Sequence, residues 1–394
     1  MKKTRHFAIF TENFPPCAGG GIAEWAMGVA ENIGKTGEKV TVFSRWKTKP
    51  DLSLHQGKPY EIEKMAAHDW KTWRWLYSFW YSWKFLRKNP EGIIIATTWE
   101  LAAPIRFLRK VYPKAQWLTI AHGLEVTKLK KASDIGAFKE TIALSTAVIA
   151  VSNFTRDAIL EKMANKRHDH IYFVPNGVDL NRFKHSENTL DFKRKLGIPE
   201  TSKVILTLSR VIERKGHDTV IEALPKILNE FPEAVYVIGG PWREDFYQKL
   251  QLLISKYKLE KQVFFTGFIN DEDLNDYYSM ADVYIMVSRV LKANNDSEGF
   301  GITFLEANAC LTPVIGSYSG GIPDAIEDGV NGYLVQPDDK EAVADRILTI
   351  FRNPDLKKKL GISGLSRIQT GFTWEILTRR MLDLFNFHSG LPKN

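Results

Sequence analysis

The sequence predicts an α/β protein made of two doubly wound, Rossmann-like domains, and three observations carry that expectation. At 394 residues the chain is too long for one hydrophobic core and suits two domains of ordinary size. Short apolar runs alternate with segments of helical periodicity in both halves, the pattern of a parallel sheet wrapped by helices. The charge is also split. Residues 1–180 hold 27 Lys and Arg against 17 Asp and Glu, a net +10, while residues 181–394 hold 27 against 29, a net −2. Nine of the eleven tryptophans fall in the basic half, so the halves are expected to meet partners of different character.

In the first half, runs rich in β-branched and aromatic residues place strands at 6–10, 40–43, 93–97, 116–120, 148–151 and 171–174. Between them, apolar residues at helical spacing place helices at 22–35, 73–87, 102–111, 136–144 and 155–163. The second half repeats the alternation, with strands at 204–209, 234–238, 263–266, 283–286, 313–316 and 332–335. Its helices are expected at 218–230, 245–257, 271–280, 302–310 and 340–351. A polar stretch containing Pro199 interrupts the pattern. The expected division is therefore an N-terminal domain at 1–180, a linker at 181–202 and a C-terminal domain at 203–372. A last helix within 373–394 is expected to pack back toward the N-terminal domain. Doubly wound sheets bind ligands at the carboxyl ends of their strands, and a central cleft that both domains face is the expected site.

Several classes are excluded. No apolar run approaches the eighteen residues of a spanning helix, and the first ten residues read as a strand rather than a signal peptide. Two cysteines, Cys17 and Cys310, suit a reducing cytoplasm and leave no disulfide or zinc framework. The basic half lacks zinc, helix-turn-helix and RNP-like signals, so no nucleic-acid partner is expected. No G-x-G-x-x-G follows the first strand, which argues against a dinucleotide-dependent dehydrogenase.

The most informative stretch is Asp296-Ser-Glu-Gly-Phe-Gly-Ile-Thr-Phe-Leu-Glu306. Gly299 and Gly301 let backbone N–H groups approach a ligand, and a helix opening there aims its positive end at the same spot. Glu298 and Glu306 fall roughly 10 Å apart along that helix by its rise per residue, too far for a metal pair. That spacing suits two hydroxylated parts of one ligand on either side of its phosphates, the layout of a nucleotide sugar. Other motifs stand where strand ends are expected. Pro15-Pro-Cys-Ala-Gly-Gly-Gly21 permits a backbone nest around an anion. His122 follows the strand at 116–120, and Arg210 with Lys215 offers two cations to a diphosphate. Pro175-Asn-Gly-Val-Asp179 reads as a turn.

Taken in order, these motifs resemble the retaining glycosyltransferases of family four with the GT-B fold. The match runs through Gly19–Gly21, His122-Gly123, Asn176-Gly-Val-Asp179, Arg210 with Lys215, Gly239-Gly240-Pro241, Thr266-Gly-Phe268, Glu298 through Glu306 and Gly320-Gly-Ile-Pro-Asp-Ala-Ile-Glu327. The resemblance implies a UDP- or GDP-sugar donor on the second domain and a lipid-linked or saccharide acceptor on the first, with no cofactor and no metal. It implies that Arg210 and Lys215 neutralise the leaving diphosphate, that Glu306 holds the ribose and that Glu298 holds a hydroxyl of the transferred sugar. Gly299, Phe300, Gly301 and Ile302 would offer backbone N–H groups, while Gly239, Phe268 and Ile269 would flank the nucleotide. His122 would sit near the reacting sugar, with Gly20 and Gly21 closing over the phosphates. One departure is that Met286-Val-Ser-Arg289 stands where the family often has Pro-Ser. This variant is similar to the subgroup that includes phosphatidylinositol-mannoside mannosyltransferases. The rivals are a nucleotide-sugar epimerase of related fold and, behind it, a nucleic-acid-binding protein.

The segment 69–88 carries five tryptophans among Lys71, Arg74, Lys84, Arg87 and Lys88. Trp73, Leu76, Trp80 and Trp83 share helical spacing, while Trp75, Phe79 and Tyr81 lie on other faces. A core helix, an interfacial helix on anionic lipid and a platform stacking on saccharide all fit this pattern. The expected location is cytoplasmic, with residues 70–88 as the candidate contact to the inner face of a membrane.

Overall fold

Among the described residues two all-parallel sheets, one of seven strands and one of six, carry the fold. The computed structural model describes residues 4–16, 20–46, 52–65, 71–163, 168–291, 293 and 295–389. Cys17, Gly19, Asp69 and Trp70 lie outside these residues, and the side chains of Lys71 and Trp73 are not described. The chain forms two units: Met1–Gly177 with Trp374–Asn394, and Val178–Thr373.

In the first unit the strands are β1 (His6–Thr11), β2 (Lys39–Arg45), β3 (Glu61–Met65), β4 (Ile93–Ala96), β5 (Gln116–Ala121), β6 (Ala147–Ala150) and β7 (Ile171–Phe173), in the order β3-β2-β1-β4-β5-β6-β7. Phe7 to Phe10, Ile93 to Ala96 and Ala147 to Ala150 are buried throughout. Strands covered on both faces read as continuous apolar runs, which is why the sequence reveals them. The edge strand β3, Glu-Ile-Glu-Lys-Met, pairs with β2 and is mostly exposed, so it lacks the signal that would make it expected. The expected helix at 102–111 is instead two pieces, Trp99–Ala102 and Ile105–Val111, divided at Pro104, which has no N–H to continue a helix.

The helix Lys71–Lys88 turns Phe85 and Leu86 into the core beside Phe10 and Phe43. Its opposite side leaves Leu76 exposed and Trp80 55% exposed, so one helix is part core and part surface.

In the second unit the strands are β8 (Val204–Leu208), β9 (Val235–Gly239), β10 (Val263–Gly267), β11 (Val283–Met286), β12 (Val314–Ser317) and β13 (Gly332–Val335), in the order β10-β9-β8-β11-β12-β13. The segment 181–202, read from sequence as a linker, packs into this unit. It contains the helix Thr189–Lys195, whose buried Phe192 meets Tyr277 edge to face at 4.9 Å. A helix at Pro354–Gly371 was also not expected, because Gly361 and Gly364 weaken its helical reading. Packing explains those glycines. A Cβ at Gly361 would lie 2.1 Å from the Leu311 carbonyl oxygen, and one at Gly364 would lie 2.6 Å from the Asn308 side chain.

The helix Trp374–Ser389 belongs to the first unit. Trp374 is buried against two glycines, and a Cβ at Gly28 or Gly177 would lie 2.5 or 2.8 Å from its ring. Arg5 Nη1 also donates to Asn386 Oδ1 at 2.8 Å. Trp374→Ala should therefore empty a space that Gly28 and Gly177 cannot fill, destabilising the first unit by about 3–5 kcal/mol. An unchanged denaturation midpoint for the first unit, followed by its tryptophan fluorescence, would contradict this packing.

Candidate functional site

Both sheets reverse strand order beside their first strand, and such switch points are where open α/β sheets bind ligands. In the second unit the switch lies between β8 and β11. The chain leaving β8 makes a tight turn at Glu213–Lys215 that closes at Gly216. Glycine is required there twice over: φ is 75°, and a Cβ would lie 2.2 Å from the Val287 carbonyl oxygen. That close approach sets Lys215 against the end of β11, its Nζ 3.2 Å from Met286 Sδ and 2.6 Å from Glu298 Oε2. The backbone of Glu298 is fixed from the other side. Gly321 N–H donates to its carbonyl at 2.9 Å, and a Cβ at Gly320 would lie 2.2 Å from that oxygen.

Glu298 is largely enclosed, with 14% of its side chain exposed. Burial alone would push its carboxyl up, but the Lys215 charge and then the Arg214 charge override this and hold it at about 2. Arg214 is 4% exposed, placing Nη1 2.5 Å from Glu298 Oε2 and Nε 3.0 Å from Asp296 Oδ1. Sequence reasoning missed Arg214, because a basic residue beside Lys215 reads as a solvated turn. Arg210 is exposed, and its side chain has no hydrogen-bond or ion-pair partner among the described residues. Arg289, at the unusual Met286-Val-Ser-Arg position, clamps Asp218 through two bonds of 2.8 and 2.6 Å and reaches Asp338 at 2.8 Å. Its N–H also donates to the Arg214 carbonyl at 2.9 Å.

The helix after the Gly-x-Gly turn runs Ile302–Ala309, and Gly301 stands before it with φ 93°. Glu306 is thus just over one turn into the helix. The helical rise does not apply to Glu298, which lies before the turn in non-helical chain. Glu306 is buried and accepts from Tyr278 Oη at 2.5 Å. Phe300 is core, so only its backbone is available to a ligand.

At the ends of β9 and β10, the Ile269 side chain lies so close to Gly239 that a Cβ there would be 2.2 Å from Ile269 Cδ1. Phe268 is 79% exposed. Trp242, not foreseen from sequence, is also exposed and stacks on Tyr247 with ring centroids 5.0 Å apart. Asp271-Glu-Asp273 spells the Asp-x-Asp of a metal site, yet Asp271 pairs with Arg182 at 3.0 Å and Asp273 with Lys195 at 3.1 Å. Among the described residues no group of three or more His, Cys, Asp or Glu is arranged to hold a metal.

His122, Gly20 and Gly21 belong to the first unit. Gly20 precedes the helix Gly21–Lys35, whose Trp25 meets the His122 ring edge on at 5.9 Å. Glu125, likewise not foreseen, accepts from the His122 N–H at 2.5 Å and so fixes the turn that presents the imidazole. His122 Nε2 is enclosed and has no hydrogen-bond partner among the described residues. Burial pushes the His122 imidazole down to about 3, and it pushes the Glu125 carboxyl up to about 7.

Residues 188–367 match the family model for glycosyl transferases group 1, and residues 19–182 match that for Glycosyltransferase Family 4. Over 389 residues the chain is 27% identical to the GDP-mannose-dependent alpha-(1-6)-phosphatidylinositol monomannoside mannosyltransferase of Mycolicibacterium smegmatis, covering 96% of this chain and 97% of that protein. The Mycobacterium tuberculosis protein of the same description is 30% identical over 299 residues, 73% of this chain and 75% of its own length. Sucrose-phosphate synthase from Thermosynechococcus elongatus superposes with a TM-score of 0.81 at 24% identity, covering 97% of this chain and 98% of that one. Anabaena HepE in complex with UDP and glucose gives 0.77 at 18%, covering 97% and 100%.

His122 and Glu125 give opposite pH dependences. The folded His122 titrates below its ordinary 6.5, so its contribution is complete above that value and fades as pH falls toward about 3. The folded Glu125 titrates above its ordinary 4.5, so its contribution is complete below that value and fades as pH rises toward about 7. His122→Gln should flatten the acid side of the stability profile and Glu125→Gln the neutral side. Profiles of both variants parallel to wild type would contradict these environments.

Proposed function

Because the chain belongs to glycosyltransferase family 4, we propose that it moves a hexosyl unit from a nucleoside-diphosphate sugar to a lipid-linked or saccharide acceptor, retaining anomeric configuration. The observation that carries this reading is the Lys215–Glu298 contact at the switch between β8 and β11, with the exposed Arg210 on the same connection. As the bond between the anomeric carbon and the phosphate oxygen breaks, negative charge grows on the departing diphosphate. Lys215, Arg210 and the amino end of the helix Ile302–Ala309 stabilise that charge, with no metal called for. Glu298 accepts a hydroxyl of the transferred sugar and Glu306 those of the ribose. Phe268 and Ile269 flank the base beside Gly239, and Gly299, Phe300, Gly301 and Ile302 offer backbone N–H groups. In the first unit, His122 is assigned to the sugar and the Gly20–Gly21 turn to the phosphates. The mycobacterial relatives put GDP-mannose first among the donors to test, and the HepE complex puts UDP-glucose next.

Lys215→Ala and Arg210→Ala should each lower turnover by on the order of 10², since each removes a cation aimed at developing charge. Glu306→Ala should weaken binding of the free nucleoside diphosphate, whereas Glu298→Ala should spare it and impair use of the sugar. Titrating GDP and UDP against both variants checks this, and equal losses would mean the roles are misassigned. Epimerised sugar after incubation with donor alone would favour the rival enzyme.

The first unit supports a peripheral contact with an anionic membrane. Leu76, Trp80, Phe107 and Val111 are exposed. Trp75 joins the two helices involved, meeting Phe107 edge on at 5.6 Å. Lys84, Arg87 and Lys88 on the first of these helices are exposed too, and each basic residue near an anionic bilayer contributes about 1 kcal/mol. No described helix is long and apolar enough to cross a membrane. Replacing Lys84, Arg87 and Lys88 by Gln should reduce sedimentation with anionic vesicles and leave nucleotide binding unchanged. Wild-type protein that fails to sediment even at low salt would remove the membrane and favour a soluble acceptor.

A further inference from the structure

Arg214 has no place in the reading above, yet it is the more deeply buried of the two cations on Glu298. Both cations meet the same carboxylate oxygen, Lys215 Nζ at 2.6 Å and Arg214 Nη1 at 2.5 Å. They differ in freedom. Lys215 carries its charge on a flexible four-carbon stem, which lets the ammonium exchange Glu298 for an incoming diphosphate. Arg214 is held at both ends. Its Nε faces Asp296 at 3.0 Å, and its carbonyl accepts from Arg289, which is clamped on Asp218 and Asp338. It cannot follow Lys215 to a ligand.

Resting on the assignment of Glu298 to the transferred sugar and of Lys215 to the diphosphate, we infer that Arg214 is the positioning residue that keeps Glu298 ionised and oriented once the diphosphate draws Lys215 away. An enclosed carboxylate that loses its last cation takes up a proton, and a protonated carboxyl is a poorer acceptor for a sugar hydroxyl. With Arg214 in place, Lys215 exchanges one anion for another while Glu298 stays charged. The other ionisable groups acting on this cluster are Arg210, which lowers Lys215, and Tyr284 on β11, whose hydroxyl is committed to Thr303 at 2.7 Å. Neither supplies a second cation to Glu298.

The test is the ratio of affinities for a sugar nucleotide and its bare diphosphate, measured by titration from pH 8 to 5. The probes are GDP-mannose with GDP and UDP-glucose with UDP, using whichever pair wild type binds. R214M should hold the diphosphate within about threefold of wild type, lose about tenfold or more in the ratio, and lose more as pH falls. R214K, which keeps the charge, should restore most of the ratio. Should R214M not fold, R214Q carries the same expectation. Adding R214M to E298Q should cost nothing further, because the arginine acts through the carboxylate. R214M with a wild-type, pH-independent ratio, or additive losses in the double variant, would overturn the role of Arg214 alone. An E298Q variant with an intact ratio would instead overturn the assignment of Glu298, and the role of Arg214 with it.

Discussion

The second unit is organised around one enclosed carboxylate held between two cations. Glu298 accepts from both Lys215 and Arg214, and its position requires several close approaches at once. The turn at Glu213–Lys215 must close on β11 through Gly216, and the loop after β12 must meet the Glu298 backbone through Gly320 and Gly321. Burying an ion pair is costly unless geometry and extra hydrogen bonds compensate, and breaking one partner away costs more still. Arg289, Asp218, Asp296 and Asp338 supply that surrounding network. Such a constellation is a weak device for stability and a strong one for holding charge in place.

The first unit is built differently. At the carboxyl end of β5 it presents a neutral His122 whose Nε2 is enclosed without a partner among the described residues, beside a Glu125 whose carboxyl burial pushes up to about 7. The helix Lys71–Lys88 adds a second contrast, since one run of aromatics serves the core through Phe85 and the surface through Trp80. Helical geometry allows this because residues five apart point to opposite sides.

The central strands and the alternation of strand and helix were legible in the sequence, and so were the charged, glycine-flanked segments that carry Lys215 and Glu298. Strands buried on both faces announce themselves as apolar runs, and chemistry at a switch point needs charged residues beside glycines in recognisable spacing. What escaped was whatever depends on a neighbour. The edge strand β3 has little burial to leave a pattern, and the helix Pro354–Gly371 contains glycines that make sense only against Leu311 and Asn308. Arg214 looked like Lys215, and only the fold decided that the arginine would be fixed between Glu298 and Asp296. The sequence by itself determined which residues carry charge and which must be small. The tertiary structure decided which charges share an oxygen, because burial and proximity belong to segments about eighty residues apart, Arg214 and Glu298, that no local pattern relates.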